Sequence, residues 1–452
     1  MNTHHVPSPP APATEPGRAV FTPSFLADPH PVVDGLLARG SLHRVTHPTG
    51  RTVWLVTHDA DVRSCLRDTR LSLSHTAPTP GSDSAAPTQC PDTATALAGQ
   101  GTAAPVAGPG TRTLLEMDGP EHLRLRRLAG RALSLRAVRH QRAAVERRAE
   151  RIARQLRSVD HVDLVRDYAV PLSFHTICDT LGLPPRHRAS LFRSASVLQN
   201  PARHPGHLVD HHRARVRARL GEELRRRRRH PGSRDGMDRV AQAWSADPGL
   251  GEDLVVTLCE TMLLTASGVT AHMIGTGLLA LLERPHLVDE LCRGDLPADR
   301  LVHELLRWET VTPFSTRRTA TADVPLTHAT LPKGAEVYLC FASANRDPNR
   351  HADPATFDPH RSTTTGHLAF GLGPHYCPGG ALAVLEIEVA LSSLFRLFPK
   401  ARILDDPATR VWNGSFLERA PGALPARLAG ALPIAVPRAG TGSNGPAAGA
   451  TR

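Results

Sequence analysis

His367-Leu-Ala-Phe370-Gly371-Leu-Gly373-Pro374-His375-Tyr-Cys377-Pro378-Gly379-Gly-Ala-Leu-Ala383 is the stretch on which the reading of this chain turns. Gly371, Gly373 and Pro374 set a tight turn, and glycine lets the backbone approach a flat ligand closely. Cys377 follows, and the pattern predicts a helix that begins immediately after it, at Pro378-Gly379. A helix N-terminus offers free backbone N–H groups toward the sulfur and favours the thiolate. A lone cysteine on a turn is more often a small buried hydrophobe. The frame Phe370-Gly371-x-Gly373-x-His375-x-Cys377-x-Gly379 argues instead for a ligand.

Six further segments lie upstream. Glu304-Leu-Leu-Arg307 puts an acid and a base at i and i+3, on one side of a helix, where they can pair. Between it and the cysteine loop come Arg317-Arg318-Thr-Ala320, Ala344-Asn-Arg-Asp-Pro348 and Phe357-Asp-Pro-His-Arg361. An apolar helix is predicted from about Glu252 to Leu282, and it contains Leu263-Leu-Thr-Ala266-Ser267-Gly268-Val269-Thr270. A threonine inside a helix usually bonds back to its own carbonyls. Farther upstream, Asp118-Gly-Pro-Glu-His122 runs into Leu-Arg-Leu-Arg126. His122 and Arg126 at i and i+4 suit two donors reaching one carboxylate, with a solvated basic helix as the plainer alternative.

In this order, over roughly residues 21–436, these segments resemble the cytochrome P-450 family in its bacterial soluble class. The resemblance implies a mainly α (α+β) fold: a helix-rich single domain with small β-sheets. It implies haem b as cofactor and Cys377 as the axial thiolate on the iron, which promotes O–O cleavage. Phe370, Gly371 and Gly379 belong to the cofactor-binding loop. His122, Arg126, Arg318 and His375 would anchor the propionates, with Arg317 a bystander. Glu304 and Arg307 would form a buried structural pair whose third partner is Arg346 or Arg361. Thr270 falls on the catalytic position for proton delivery. Ser267 stands where the family has glycine, and Val269 where it has an acid. That departure leaves room for water- or substrate-assisted proton delivery, or for an atypical reaction.

The function implied is a haem-thiolate monooxygenase that activates O₂ to hydroxylate or epoxidise a hydrophobic small organic molecule in secondary metabolism. Alternatives are oxidative coupling, desaturation or peroxide-driven oxidation at the same haem, or non-catalytic haem binding. The chain carries no flavin or iron–sulfur motif, so electrons would come from a separate ferredoxin and its reductase. Arg124, Arg127 and Arg131 share a helical face away from His122 and Arg126, a docking patch for an acidic ferredoxin. By analogy, substrate contacts would come from residues 75–111, Ser190–Val209, Met262, Ala266, Thr312–Ser315 and Gly414–Leu417.

Composition agrees with a globular chain. Of 452 residues, 40% are hydrophobic, enough for a sizeable core. Aromatics at 4% argue against a base-stacking surface. The net charge of +11 includes the run Arg225 to Arg229, read as a solvated helix end rather than a nucleic-acid site, so no nucleic-acid partner is expected. Seven dispersed cysteines without a C-x-x-C pair fit neither a disulfide framework nor a zinc site. No stretch approaches ~18 consecutive apolar residues, and the opening residues lack an apolar leader. Both features favour the cytoplasm and no membrane. The expected boundaries are a disordered segment at 1–20, a catalytic domain at 21–437 and a disordered tail at 438–452. The Pro-, Thr- and Gly-rich stretch 75–111 is either a functional loop or an insert. Helix should dominate from Gly119 to Arg229, broken at Pro171, Pro184-Pro185 and Pro201–Pro205. Another helix is expected over Ala298–Trp308, and the last from near Gly379 to Phe395.

Overall fold

A computed structural model describes residues 16–74, 112–159, 161–247, 249–362, 366–415 and 417–428. The stretch 75–111 and the tail from 438 lie outside them. The first part of the chain holds α1 (Pro23–Ala27), α2 (His30–Leu37), β1 (Leu42–Thr46), β2 (Thr52–Val56), α3 (Asp59–Arg67) and β3 (Leu71–Ser72). The helical body follows: α4 (Gly119–Ala132), α5 (Leu135–Arg139), α6 (Arg142–Gln155), β4 (Val162–Asp163), α7 (Val170–Leu181), α8 (Pro185–Gln199), α9 (Gly206–Arg229) and α10 (Gly236–Ser245). Next are α11 (Glu252–Leu282), α12 (Pro285–Arg293), α13 (Ala298–Trp308), β5 (Arg318–Ala320), β6 (Val324–Pro325), β7 (Thr330–Leu331), β8 (Glu336–Leu339) and α14 (Phe341–Ala344). The chain closes on α15 (Gly380–Leu397), β9 (Arg402–Ile403), β10 (Trp412–Ser415), β11 (Glu418–Pro421) and β12 (Pro425–Arg427).

The main sheet has the order β1-β2-β8-β5-β3, with only the β2–β8 pair parallel. Alternation in Thr-Val-Trp-Leu-Val sends Val53 and Leu55 to one face, packed with Phe25, Val33, Leu36 and Phe314. Trp54 and Val56 serve the other face with Val62, Leu66 and Leu339. The large core belongs to the helices, and α11 runs through it for about 46 Å. This helix is long and apolar enough to cross a membrane by length and composition, but 78% of its apolar window is buried inside the protein. It is a core helix, apolar all round because α7, α9 and α15 pack around it.

Three expectations need correction. The N-terminal segment does not remain irregular to residue 20: Pro16–Phe21 is a 3-10 turn, and Val20 and Phe21 are buried against the β1–β2 sheet cluster. Pro171 does not break the chain, because a π-helical turn over Val165–Ala169 runs straight into α7 and carries the proline in its first turn, where no N–H is needed. The arginines of α9 are not uniformly solvated. Arg213 bonds Glu260 at 3.2 Å, and Arg217 bonds the same carboxylate at 2.8 Å. Arg227 is buried between Glu223 (2.6 Å) and Asp235 (2.8 Å). Glu260 on α11 and Asp235 in the turn before α10 draw these three inward, and α9's own residue spacing reveals only the Glu223–Arg227 pair at i and i+4.

Candidate active site

The cysteine loop is built as the glycines demand. Gly371 and Gly373 take φ of +68° and +75°, the left-handed region that side chains disfavour. A Cβ at Gly373 would also meet the Leu66 carbonyl oxygen at 3.0 Å. The Cys377 N–H donates to the Phe370 carbonyl at 2.9 Å, closing the turn under the sulfur. The thiolate preference expected of a helix start is opposed: burial pushes the Cys377 thiol up, while Gly379 and Gly380 N–H groups and the Arg126 charge pull it down. In this protein matrix burial is the larger effect.

Around the loop, α4 and β5 deliver the basic side chains. His122 is buried and its ring lies 4.1 Å from that of His375, tilted by 31°. Burial first, then neighbouring positive charge, lowers both imidazoles, His375 to about 4, so both are neutral at pH 7. Arg126, one turn beyond His122, donates to the Tyr376 carbonyl beside the cysteine. Arg318 is buried in β5, and one of its Nη groups reaches the Leu71 carbonyl only at 3.4 Å. Arg317 points the other way and pairs with Glu336 at 2.8 Å. Thus the two adjacent arginines divide as the alternation of a strand requires.

The sequence singled out Asp118 only as part of a motif, yet it organises this corner. Its carboxylate accepts from Ser72 Oγ at 2.8 Å, the Leu73 N–H at 2.6 Å and the Ser74 N–H at 3.1 Å. His375 Nε2 lies 3.0 Å from its other oxygen. Burial opposes ionisation, but these bonds together hold the carboxyl below its usual range. Two groups remain unmatched: His122 Nε2 and Arg318 Nε are buried with no protein partner among the described residues. Unpaired buried donors are costly, so their presence on both sides of the cysteine loop fits a flat cofactor carrying carboxylates there.

On α11, Thr257, Thr261, Thr265 and Ser267 each return their hydroxyl to the carbonyl four residues back. The Thr270 hydroxyl makes no such bond and has no partner among the described residues, although the residue is buried. Residues 265, 266, 268, 269 and 272 are only partly buried in a helix otherwise closed over its central turns, so this stripe borders open space. Gln199, at the end of α8, donates to Ser267 Oγ at 2.9 Å and to the Leu264 carbonyl at 3.0 Å. Opposite the stripe's far end, His272 Nδ1 bonds Glu418 of β11. Gln199 falls within the expected substrate-contact region Ser190–Val209 but was not singled out there, and the His272–Glu418 pair gave no signal in the sequence, since each depends on a partner distant along the chain.

Other expected positions divide. Glu304 and Arg307 are both fully buried and doubly bonded at 2.7 and 2.8 Å. Arg361 is their third partner, at 3.1 Å from Glu304, whereas Arg346 pairs with Asp34. Among the substrate-contact candidates, Phe314 is packed on Phe25 and Ser315 Oγ accepts from the Leu339 N–H at 3.0 Å, so both serve the sheet. Met262 is buried, Ala266 lies on the open stripe, and residues 75–111 and 416 fall outside the described residues. Arg124 leaves the expected docking patch: it pairs with Asp247, while Arg127 and Arg131 are exposed.

Residues 296–409 match the family described as Cytochrome P450. The chain is 30% identical over 390 residues to 6-deoxyerythronolide B hydroxylase of Saccharopolyspora erythraea, covering 84% of this chain and 91% of that protein. It is 33% identical over 401 residues to nocardicin C N-oxygenase of Nocardia uniformis, covering 88% and 95%. The ligand-free structure of the P450 monooxygenase TamI superposes with a TM-score of 0.77 at 31% identity, over 90% of this chain and 93% of that one. The class that fold and cysteine loop define is therefore the haem-dependent oxidoreductases. Within it, the chain belongs to the cytochrome P450 family, and it is a monooxygenase whose cofactor is haem b.

Proposed function

We propose that Cys377 would ligate the haem iron through its thiolate, that His122, Arg126, Arg318 and His375 would hold the propionates, and that Phe370, Gly371 and Gly379 would shape the loop against the haem. The observation that carries the reading is the pair of buried, unpartnered donors, His122 Nε2 and Arg318 Nε, beside a cysteine at the start of α15. When bound, the haem supplies the activation of O₂ for insertion of one oxygen atom into an organic molecule. The chain's own part is to orient that molecule, exclude water and move protons. Gly379 and Gly380 N–H groups face the Cys377 sulfur and temper its charge. The Thr270 hydroxyl, free of the helix carbonyls, is available to donate and accept a proton at its Oγ1.

The substrate is a hydrophobic small molecule of secondary metabolism, as the names of the hydroxylase and N-oxygenase relatives suggest. Ala266 and Val269 offer apolar surface on the open stripe of α11, and a substrate body packed there would be held by dispersion and burial. Electrons come from a ferredoxin and its reductase, with Arg127 and Arg131 as the exposed cations left on α4 for an acidic partner. Val269 favours a second reading, in which the missing acid marks coupling or desaturation chemistry. The test of the ligand assignment is spectroscopic. Reduced protein under carbon monoxide should show the strongly red-shifted band of thiolate-ligated haem, and Cys377→Ser should lose it while retaining haem. A mutant that keeps the band would overturn the assignment.

A further inference from the structure

Away from the cysteine loop, the surface opens into a cleft of about 630 Å³ between α5, α6, α7 and the turn that leads into α10. Its size is that of a small-molecule site. Arg136, His140, Arg234 and Arg239 all line it. Two carboxylates, Asp179 and Asp235, line it as well, but both are already neutralised. Asp179 is held by Arg148 at 2.5 Å and Arg188 at 2.6 Å. Asp235 is bound by Arg227 through bonds of 3.0 and 2.8 Å and caps α10 through the Asp238 N–H at 2.9 Å.

The cations have no such compensation. The side chains of Arg136 and Arg234 form no hydrogen bond or ion pair among the described residues. Arg239 donates only to backbone carbonyls, those of Arg234 and Ala132, the latter at 3.5 Å, and its Nε is buried without a partner. The Thr176 hydroxyl, also at the cleft, is buried with no partner among the described residues. Arg234 is held in the left-handed region at φ 56°, a costly conformation for an arginine, by the Asp238 carboxylate that accepts its N–H at 3.0 Å. Like charges gathered in a concave site repel one another and focus a positive potential into it, which an anion relieves. Guanidinium groups suit the oxygens of a phosphate, and Ala137, Ala144 and Val145 supply an apolar wall beside them.

We propose that this cleft is a binding site for a small organic phosphate, the phosphate on Arg136, Arg234 and Arg239 and the carbon body against Ala137, Ala144 and Val145. The site is separate from the haem and independent of the monooxygenase reading. Calorimetric titration of the haem-loaded full chain with inorganic phosphate, glucose 6-phosphate and glucose tests it. Expected are saturable binding of both phosphates to one site, tighter for glucose 6-phosphate, and none for glucose. Arg136→Glu and Arg234→Glu should each weaken binding at least tenfold. Arg300→Glu, the same charge change at an exposed position on α13, should leave it unchanged. Arg136 and Arg234 are both exposed, so folding is checked by an unaltered melting temperature, with Arg136→Gln and Arg234→Gln as milder replacements. No saturable binding up to 10 mM phosphate, or equal weakening by Arg300→Glu, overturns the proposal. Binding of inorganic phosphate without any preference for the ester would overturn the organic ligand.

Discussion

His272 on α11 is hydrogen-bonded through Nδ1 to Glu418 on β11, so a titratable contact pins the C-terminal hairpin to the helix that carries Thr270. Burial lowers the imidazole, but the charge and hydrogen bond of Glu418 outweigh it and the net shift is upward. A histidine whose folded pKa is raised gives stabilisation that is complete below its unfolded pKa of ~6.5 and is lost as pH rises through the folded value. Amide hydrogen exchange in β10 and β11 should therefore quicken as pH is taken from about 6 to about 9, after correction for intrinsic rates. Glu418→Gln should remove that pH dependence. A hairpin equally protected across the range in the wild type would show that the pair anchors nothing.

Thr270→Ala should divert electrons to peroxide. Product formed per NADH consumed is expected to fall by about tenfold, less than the ~100-fold or more that a positioned proton donor typically contributes, because water takes over part of the delivery. The mutant should fold normally, because the hydroxyl it loses has no partner among the described residues. Unchanged coupling would mean that Val269's missing acid and Thr270 are both bypassed by water or by a group on the substrate.

The cluster of fully buried Glu304 and Arg307 with the partly buried Arg361 is a stability element. Glu304→Gln leaves two guanidinium groups facing a neutral amide in the interior, a loss of about 3 kcal/mol or more. Arg346→Gln removes only a pair whose Asp34 partner is half exposed to solvent, and should cost under about 1 kcal/mol in charge interaction. Denaturant melts of the two variants side by side separate these outcomes. Similar losses would mean that the buried Glu304 charge contributes no more to stability than the Arg346–Asp34 pair.

Acid should destabilise the protein through its neutral histidines. Burial, then nearby positive charge, lowers His367 to about 3 and His351 to about 4. The unfolded chain binds protons at ~6.5, so between that pH and about 3 it takes up more protons than the folded state. Stability is then complete above ~6.5 and falls as pH drops through this window. His351 has both ring nitrogens buried without a partner among the described residues, so His351→Phe should shrink the acid-sensitive slope measured by thermal melts from pH 7 to pH 4. An unchanged slope would place the acid sensitivity elsewhere.

Local pattern accounts for what was legible in advance. α11 and α13 have the bounds expected from apolar periodicity and the flanking Arg284-Pro285 and Trp308. α15 begins one residue later than expected, because Gly379 is its N-cap. The cysteine loop was readable because its chemistry is concentrated in neighbours: positive-φ glycines, a cysteine and a helix start within a dozen residues. The same holds for Glu304 and Arg307, which are one helical turn apart.

What only the tertiary structure decided involves partners far apart in the chain. Arg361 over Arg346 and the burial of Arg213 and Arg227 were settled by which carboxylates the fold brought near. Asp118 became the hub of the His375 corner only when the start of α4 met the strand at Leu71–Ser72 and the cysteine loop. Residue type and spacing determine which groups can carry charge or ligate. Whether a charged side chain is solvated, paired or left waiting for a ligand is determined by desolvation and by neighbours from other elements, and those come together only in the folded chain.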